Sequence, residues 1–143
     1  MGISRWWAVA LLSLVLLAGC QKPRQGLAPD ADPNALPPLG GEYRVKGYDP
    51  VMDDKYGGTF VLTRREDGTF EAVWLIRELI LRGRGHVEGN QLVLTWESEF
   101  APGPMHGIAR YTITRAGQLY GERITQLEDG TEHAVREEMH PPR

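Results

Sequence analysis

The chain has 143 residues, a formal net charge of −3, 41% hydrophobic residues and a single cysteine, Cys20. A mildly acidic chain of mixed charges has no basic field to attract nucleic acid or an anionic lipid surface. With one thiol, an intramolecular disulfide and a cysteine-built metal site are both excluded.

Met1 to Trp7 carries one charge, Arg5, and Ala8 to Ala18 is Ala, Val and Leu apart from Ser13. That is the short positive and apolar pattern of a secretory leader. It falls short of the ~20 apolar residues that a spanning helix needs, so a retained membrane helix is the weaker alternative. The run ends in Leu17-Ala18-Gly19-Cys20, which resembles the lipobox of bacterial lipoproteins. The resemblance implies removal of residues 1–19 as a signal peptide and a diacylglycerol on the Cys20 sulfur, with the membrane as partner through that anchor. Gln21, where Asp would favour inner-membrane retention, implies an outer-membrane anchor facing the periplasm. Losing Arg5, the only charge before Cys20, moves the net charge from −3 to −4.

Residues 20–41 hold Pro23, Pro29, Pro33, Pro37 and Pro38 among Ala, Gly, Asp and Asn. Without apolar periodicity this stretch predicts a disordered, extended tether that spans up to ~3.1 Å per residue. A spacer role explains it with fewer assumptions than recognition of Leu36-Pro37-Pro38-Leu39.

From Glu42 to His140 the signals are those of β structure. Asp67-Gly68, Gly89-Asn90, Ala116-Gly117 and Asp129-Gly130 each fall between a pair of runs of alternating or β-branched residues, as tight hairpins require. Strands are predicted over residues 42–48, 57–65, 69–76, 79–88, 91–98, 106–115, 118–126 and 131–139, an all-β, eight-stranded antiparallel up-and-down meander. An open meander leaves two unpaired edges, so closure into a calycin-like barrel is expected, with first and last strands paired. Alternation turns Phe70, Ala72, Trp74 and Ile76 inward, and likewise Leu92, Leu94 and Trp96. Gly83 and Gly85 share the face of Leu79, Leu81 and Val87, where a coiled strand bends over the core. Residues 72–82 also fit a helical stripe through Trp74, Leu75, Glu78, Leu79 and Arg82, and Arg77-Glu78 is a poor tight turn. The flanking β-branched and aromatic residues favour strand–turn–strand there.

Tyr56-Gly57, Phe70, Trp74, Ile76, Leu81-Arg82-Gly83-Arg84-Gly85, Gly89-Asn90, Leu92, Trp96, Tyr111, Ile113, Gly117, Leu119, Gly121 and Glu132 together resemble a pattern in small exported bacterial proteins of unassigned function. Some of these carry the label "fibronectin-binding", and they look like avidin- or lipocalin-type barrels. The likeness spans Glu42 to Glu137 but consists of strand, turn and core residues, so it implies a fold and little chemistry. Where the pattern has a tryptophan after Leu119 and Gly121, this chain has Arg123.

Catalytic groups are sparse. After Cys20 the one serine is Ser98, with no histidine signal beside it, and Gly83-Arg84-Gly85 lacks the third glycine and helix of a phosphate loop. His86, His106, His133 and His140 make no paired metal-ligand spacing, although a barrel rim could join His86 to His106. Glu97/Glu99 and Glu137/Glu138 read as exposed charge on hairpin edges rather than as an acid–base pair. No catalytic residue, metal or cofactor is therefore assigned. Parity places Arg123 inside beside Leu119 and Gly121, and Glu132 and Arg136 inside beside Ala134. A charge there needs a partner, so Arg123 and Arg136 are expected to meet Glu132 or to await an anionic ligand.

The functional expectation is a non-catalytic, membrane-anchored binding protein. Its candidate pocket is lined by Trp74, Trp96 and Tyr111, with Arg123, Glu132 and Arg136 orienting a small apolar or anionic ligand. The alternative is a protein-interaction module or hydrolase inhibitor of the cell envelope, and an uncharacterised enzyme stands third. A hollow aromatic interior favours the first. A filled interior with an exposed patch, as on the loop from Ser98 to His106, favours the second.

Overall fold

The computed structural model describes residues 26–98 and 105–143. The expected signal peptide, Cys20, the start of the expected tether and Pro102-Gly103-Pro104 lie outside the described residues. Eight strands run β1 Gly41–Asp49, β2 Asp54–Arg64, β3 Phe70–Ile76, β4 Leu79–Glu88, β5 Gln91–Ser98, β6 His106–Ile113, β7 Leu119–Gln126 and β8 Glu132–His140. Each is antiparallel to its neighbour, and β1 closes on β8 with Arg44–Tyr48 against Arg136–His140, so the sheet is a closed up-and-down barrel.

The hairpins follow from local chemistry. In both Asp67-Gly68-Thr69 and Asp129-Gly130-Thr131 the carboxylate accepts from the threonine amide at 2.9 Å and hydroxyl at 2.6 Å. The threonine hydrogen bonds hold both carboxyls below their ordinary value. Each glycine takes a positive φ, +84° and +83°, that a side chain would resist. At the weakest turn, Ile76 pairs with Leu79 directly and Arg77 adopts φ +55°. A left-handed arginine costs about 1–2 kcal/mol. Its guanidinium bonds to Asp54 and lies 6.0 Å from the Tyr56 ring centre, exposed contacts that offset part of the cost, and the continuous ladder from Phe70–Gly85 to Ile76–Leu79 makes the segment strand–turn–strand and not the helical stripe.

Inward alternation holds where apolar residues marked it: Phe70, Ala72, Trp74, Ile76, Leu92, Leu94 and Trp96 are all buried. It is displaced on β8. There Val135, Glu137 and Met139 are buried, while Glu132 and Arg136 are exposed. The expectation that Glu132 and Arg136 face inward is therefore corrected. The small Ala134 is a poor marker of the inner face, and Val135 and Met139 carry the apolar surface that sets the parity.

Residues 26–40 depart from the expected tether. They form no strand, in keeping with their prolines, yet they lie as a strap over one barrel end. Asp30 bridges Thr114, the Ala31 amide donates to the Ile113 carbonyl, and the Arg115 amide donates to the Pro29 carbonyl, both at 2.8 Å. Ala31 is buried, and Leu36 and Leu39 pack against the core. A few well-spaced apolar side chains and backbone pairing suffice where periodicity is absent. The strapped end carries the β2–β3, β4–β5 and β6–β7 turns. The β1–β2, β3–β4 and β7–β8 turns lie at the far end, where the β5–β6 connection is gathered at its base by the Ser98 amide donating to the Met105 carbonyl.

Candidate functional site in the barrel lumen

Among the described residues, the lumen is a packed aromatic core with one ion pair. Phe60 lies between Tyr43 and Trp74, ring centres 5.8 and 5.0 Å away, and meets Tyr111 edge-on at 6.1 Å. Leu62, Leu81, Leu92, Leu94, Ile113, Leu119 and Met139 fill the space around them. Trp96 is flanked across the sheet by Gly83 and Gly107. A Cβ at Gly107 would fall 1.8 Å from the Ile124 carbonyl oxygen, and one at Gly83 would fall 2.8 Å from the Trp74 ring. The glycines thus let strands and indoles close on each other, so the volume a ligand would need is occupied by side chains.

Inside this core runs a polar chain. The Trp74 Nε1–H donates to the Tyr111 hydroxyl at 3.1 Å, and that hydroxyl donates to Glu137 Oε1 at 3.2 Å. Arg123 Nε donates to the same oxygen at 2.8 Å, and its guanidinium sits 5.3 Å from the Trp96 ring centre. Glu137 is 1% exposed and Arg123 8%. The Tyr56 hydroxyl stands beside the pair, and both it and Glu137 Oε2 are buried without reaching hydrogen-bond geometry to any described residue.

The electrostatics follow from burial. Burial opposes the Arg123 charge, and the Glu137 carboxylate, followed by Tyr111 and Tyr56, outweighs it, so the guanidinium binds its proton more tightly than usual. Burial raises the Tyr111 phenol well above its ordinary value, and the Glu137 carboxylate raises it further. Tyr56 is raised for the same two reasons in the same order. Both phenols stay neutral, able to donate but not to act as bases.

Of the residues expected to form a pocket, the structure brings Trp74, Tyr111, Arg123 and Trp96 together in the core and leaves Glu132 and Arg136 outside. Glu132 accepts from Gln126 Nε2 at 2.8 Å. Arg136 lies across from Tyr48 and Glu122 on the outer wall. The carboxylate that answers Arg123 is Glu137, expected from the sequence to be exposed charge. Its signal lies in the alternation Val135, Glu137, Met139. Phe60 also escapes the sequence pattern, and Tyr56, although part of the resemblance, is given no inward place by it, because Gly57 and Gly58 interrupt the apolar alternation of β2.

His86 and His106 do not meet: His86 pairs across from Val93 and His106 from Glu97, at different heights on the barrel. His86, His133 and His140 each neighbour a carboxylate instead, Glu88, Asp49 and Glu138. Among the described residues no group of three or more His, Cys, Asp or Glu is arranged to hold a metal ion. The Ser98 hydroxyl accepts from the Met105 amide at 3.1 Å.

Two concavities lie on the outer wall. One, of about 820 Å³, is lined by Lys46, Tyr48, Arg110, Tyr120, Ile124 and Arg136 among others. The other, of about 680 Å³, lies over Arg82, Arg84, Glu97, His106 and Ile108. The architecture is thus an eight-stranded up-and-down β-barrel with a filled interior and an irregular outer surface. No family model, curated protein or solved structure matches the chain.

Proposed function

We propose that this is an exported envelope protein, anchored by a lipid on Cys20 and facing the periplasm, that works by binding another protein through its outer surface. The observation carrying this reading is the filled lumen. Phe60, Trp74 and Tyr111 are in contact with one another, and Arg123, the one buried cation among the described residues, is satisfied by Glu137 rather than left for an anionic ligand. Catalysis finds no support in the same chain of groups. Glu137 is committed to Tyr111 and Arg123, and both nearby phenols are held neutral. The proposed anchor rests on Leu17-Ala18-Gly19-Cys20 alone.

The test is titration of the chain from Gln21 onward with a fluorescent fatty-acid analogue and with an anionic naphthalene dye, following quenching of Trp74 and Trp96. A protein-binding barrel gives no saturable quenching up to the solubility limit of either probe. Stoichiometric binding to the lumen, abolished by Arg123→Met, would restore the small-ligand reading. The anchor is checked separately: Cys20→Ala should leave the precursor uncleaved and unlabelled by radioactive palmitate, and persistent labelling would refute it.

A further inference from the structure

We propose that the β1–β2 and β7–β8 hairpin tips at the far end of the barrel form a docking surface for a basic protein with an apolar recess. This deepens the protein-binding reading and rests on it.

The apolar component comes first. Val51 is 75% exposed, Met52 72% and Leu127 45%, and the other exposed large hydrophobics among the described residues, Leu75 and Ile108, lie on the same half of the barrel. The strapped end shows no such residue among those described; there Leu36 and Leu39 turn onto the core. Large apolar side chains left in water at hairpin tips are a cost unless something covers them.

The tips are also held in shape before any partner arrives. Asp49 accepts from the Val51 amide at 2.9 Å and the Met52 amide at 3.2 Å, and contacts His133 Nε2 at 3.0 Å, which joins the first hairpin to the last. The Tyr48 hydroxyl donates to Asp53 at 2.8 Å, where the chain takes φ +48°. A preordered tip loses little conformational entropy on docking, which favours a rigid knob entering a recess.

Charge selects the occupant. Asp53 and Asp54 flank Val51 and Met52, and Glu128, Asp129 and Glu132 flank Leu127, with no Lys or Arg in residues 49–54 or 126–132. Of the cations nearest this rim, Arg77 is bonded to Asp54, and Lys55 and Arg136 flank Tyr48 one row below it, so the tips themselves stay acidic. Such a rim steers a positively charged partner inward and repels nucleic acid, anionic lipid and a second copy of itself. Orientation agrees. Gln118 Nε2 donates to the Gly26 carbonyl at 2.7 Å, so the chain leaves the barrel at the strapped end. Six peptide links then separate Gly26 from Cys20, a reach of about 20 Å. With Cys20 in a bilayer, that attachment puts the strapped end on the tethered side and leaves the tips free to face away.

The test is photocrosslinking in cells making the full-length lipidated chain. Benzoylphenylalanine is placed at Val51, Met52 or Leu127, with controls at Glu66 and Arg115 on the strapped end and at Arg136 on the wall. The tip positions should give one discrete adduct to a protein with a strongly basic surface, in at least about tenfold higher yield than the controls. Glu128→Gln with Glu132→Gln, and separately raised salt during crosslinking, should lower the yield by about threefold or more. Adducts to phospholipid, to an acidic protein or to a second copy overturn the proposal. A discrete adduct from Arg136 alone overturns the surface and leaves the protein-binding reading standing, whereas no protein adduct from any position counts against both.

Discussion

Replacing Arg123 by Met removes the cation that neutralises Glu137 while keeping a long side chain over Trp96. Glu137 is fully enclosed, so its carboxylate is left with the Tyr111 hydroxyl as its remaining hydrogen-bond partner and little solvent. Breaking one partner from a buried pair costs about 3–5 kcal/mol, whereas replacing both by apolar groups of similar volume is neutral or stabilising by about 1–4 kcal/mol. A domain of this size has roughly 6–15 kcal/mol of stability, and each kcal/mol moves its midpoint by about 4 °C. Arg123→Met should therefore lower the thermal midpoint by about 12–20 °C, and Arg123→Met with Glu137→Leu should recover most of that loss. Thermal and urea unfolding of the chain from Gln21 give the loss in the single variant and the recovery in the double one. Losses that simply add in the double variant, or a single-variant loss under about 1 kcal/mol, would refute the claim that the two side chains act as one buried unit.

Gly107→Ala should cost at least about 2–3 kcal/mol in urea, since its Cβ would fall 1.8 Å from a backbone oxygen that cannot swing aside; Gly57→Ala, with 3.7 Å of room, should stay within about 0.5 kcal/mol. Ala31→Glu forces a charge into a buried strap position and should lift residues 26–40 from the barrel, read as about tenfold or greater loss of amide-exchange protection at Ala31 and Arg115 with the strand ladders unchanged. The hydrogen bond from His133, with those from the Met52 and Val51 amides, lowers the Asp49 carboxyl from its ordinary 3.8. Its support of the tip is thus complete above pH 3.8 and fades as pH falls through the lower folded value, visible as amide-shift changes at Val51 and Met52 that Asp49→Asn abolishes.

The barrel was legible because each hairpin carries its own turn chemistry and most strands carry an unbroken alternation. Asp67-Gly68 and Asp129-Gly130 state their geometry locally, and Phe70 to Ile76 states its inner face twice over. What failed did so where a small residue stood in for a large one. Ala134 pointed to the wrong side of β8, and with it went the partner of Arg123, found at Glu137 five residues beyond Glu132. The glycines of β2 hid Phe60 and the inward place of Tyr56, although Tyr56 covers Gly47 across the sheet so closely that a Cβ there would lie 2.1 Å from its ring. The strap was illegible for a different reason. Its docking depends on unpaired groups that β6, β7 and Asn90 happen to offer, such as the Asn90 side chain donating to the Ala31 carbonyl at 3.1 Å, and no periodicity in residues 26–40 encodes them.

An eight-stranded barrel stands at the size where its interior can either be filled or be spared for one small ligand, so residue choice inside decides between carriage and display. Here the inward positions are given to Phe60, Trp74, Trp96 and Tyr111, with glycines on both sides of Trp96 so that the wall draws in rather than bulging out. The inward charge is matched by an inward carboxylate, which removes the attraction an anionic ligand would need in order to displace packed rings. Opening such a lumen would break the Arg123–Glu137 pair and separate Phe60 from Trp74, costs that a ligand's own contacts would have to exceed. The outer surface carries no such penalty. Its tips at Val51, Met52 and Leu127 already bear the apolar exposure and acidic rim that the proposed docking would use.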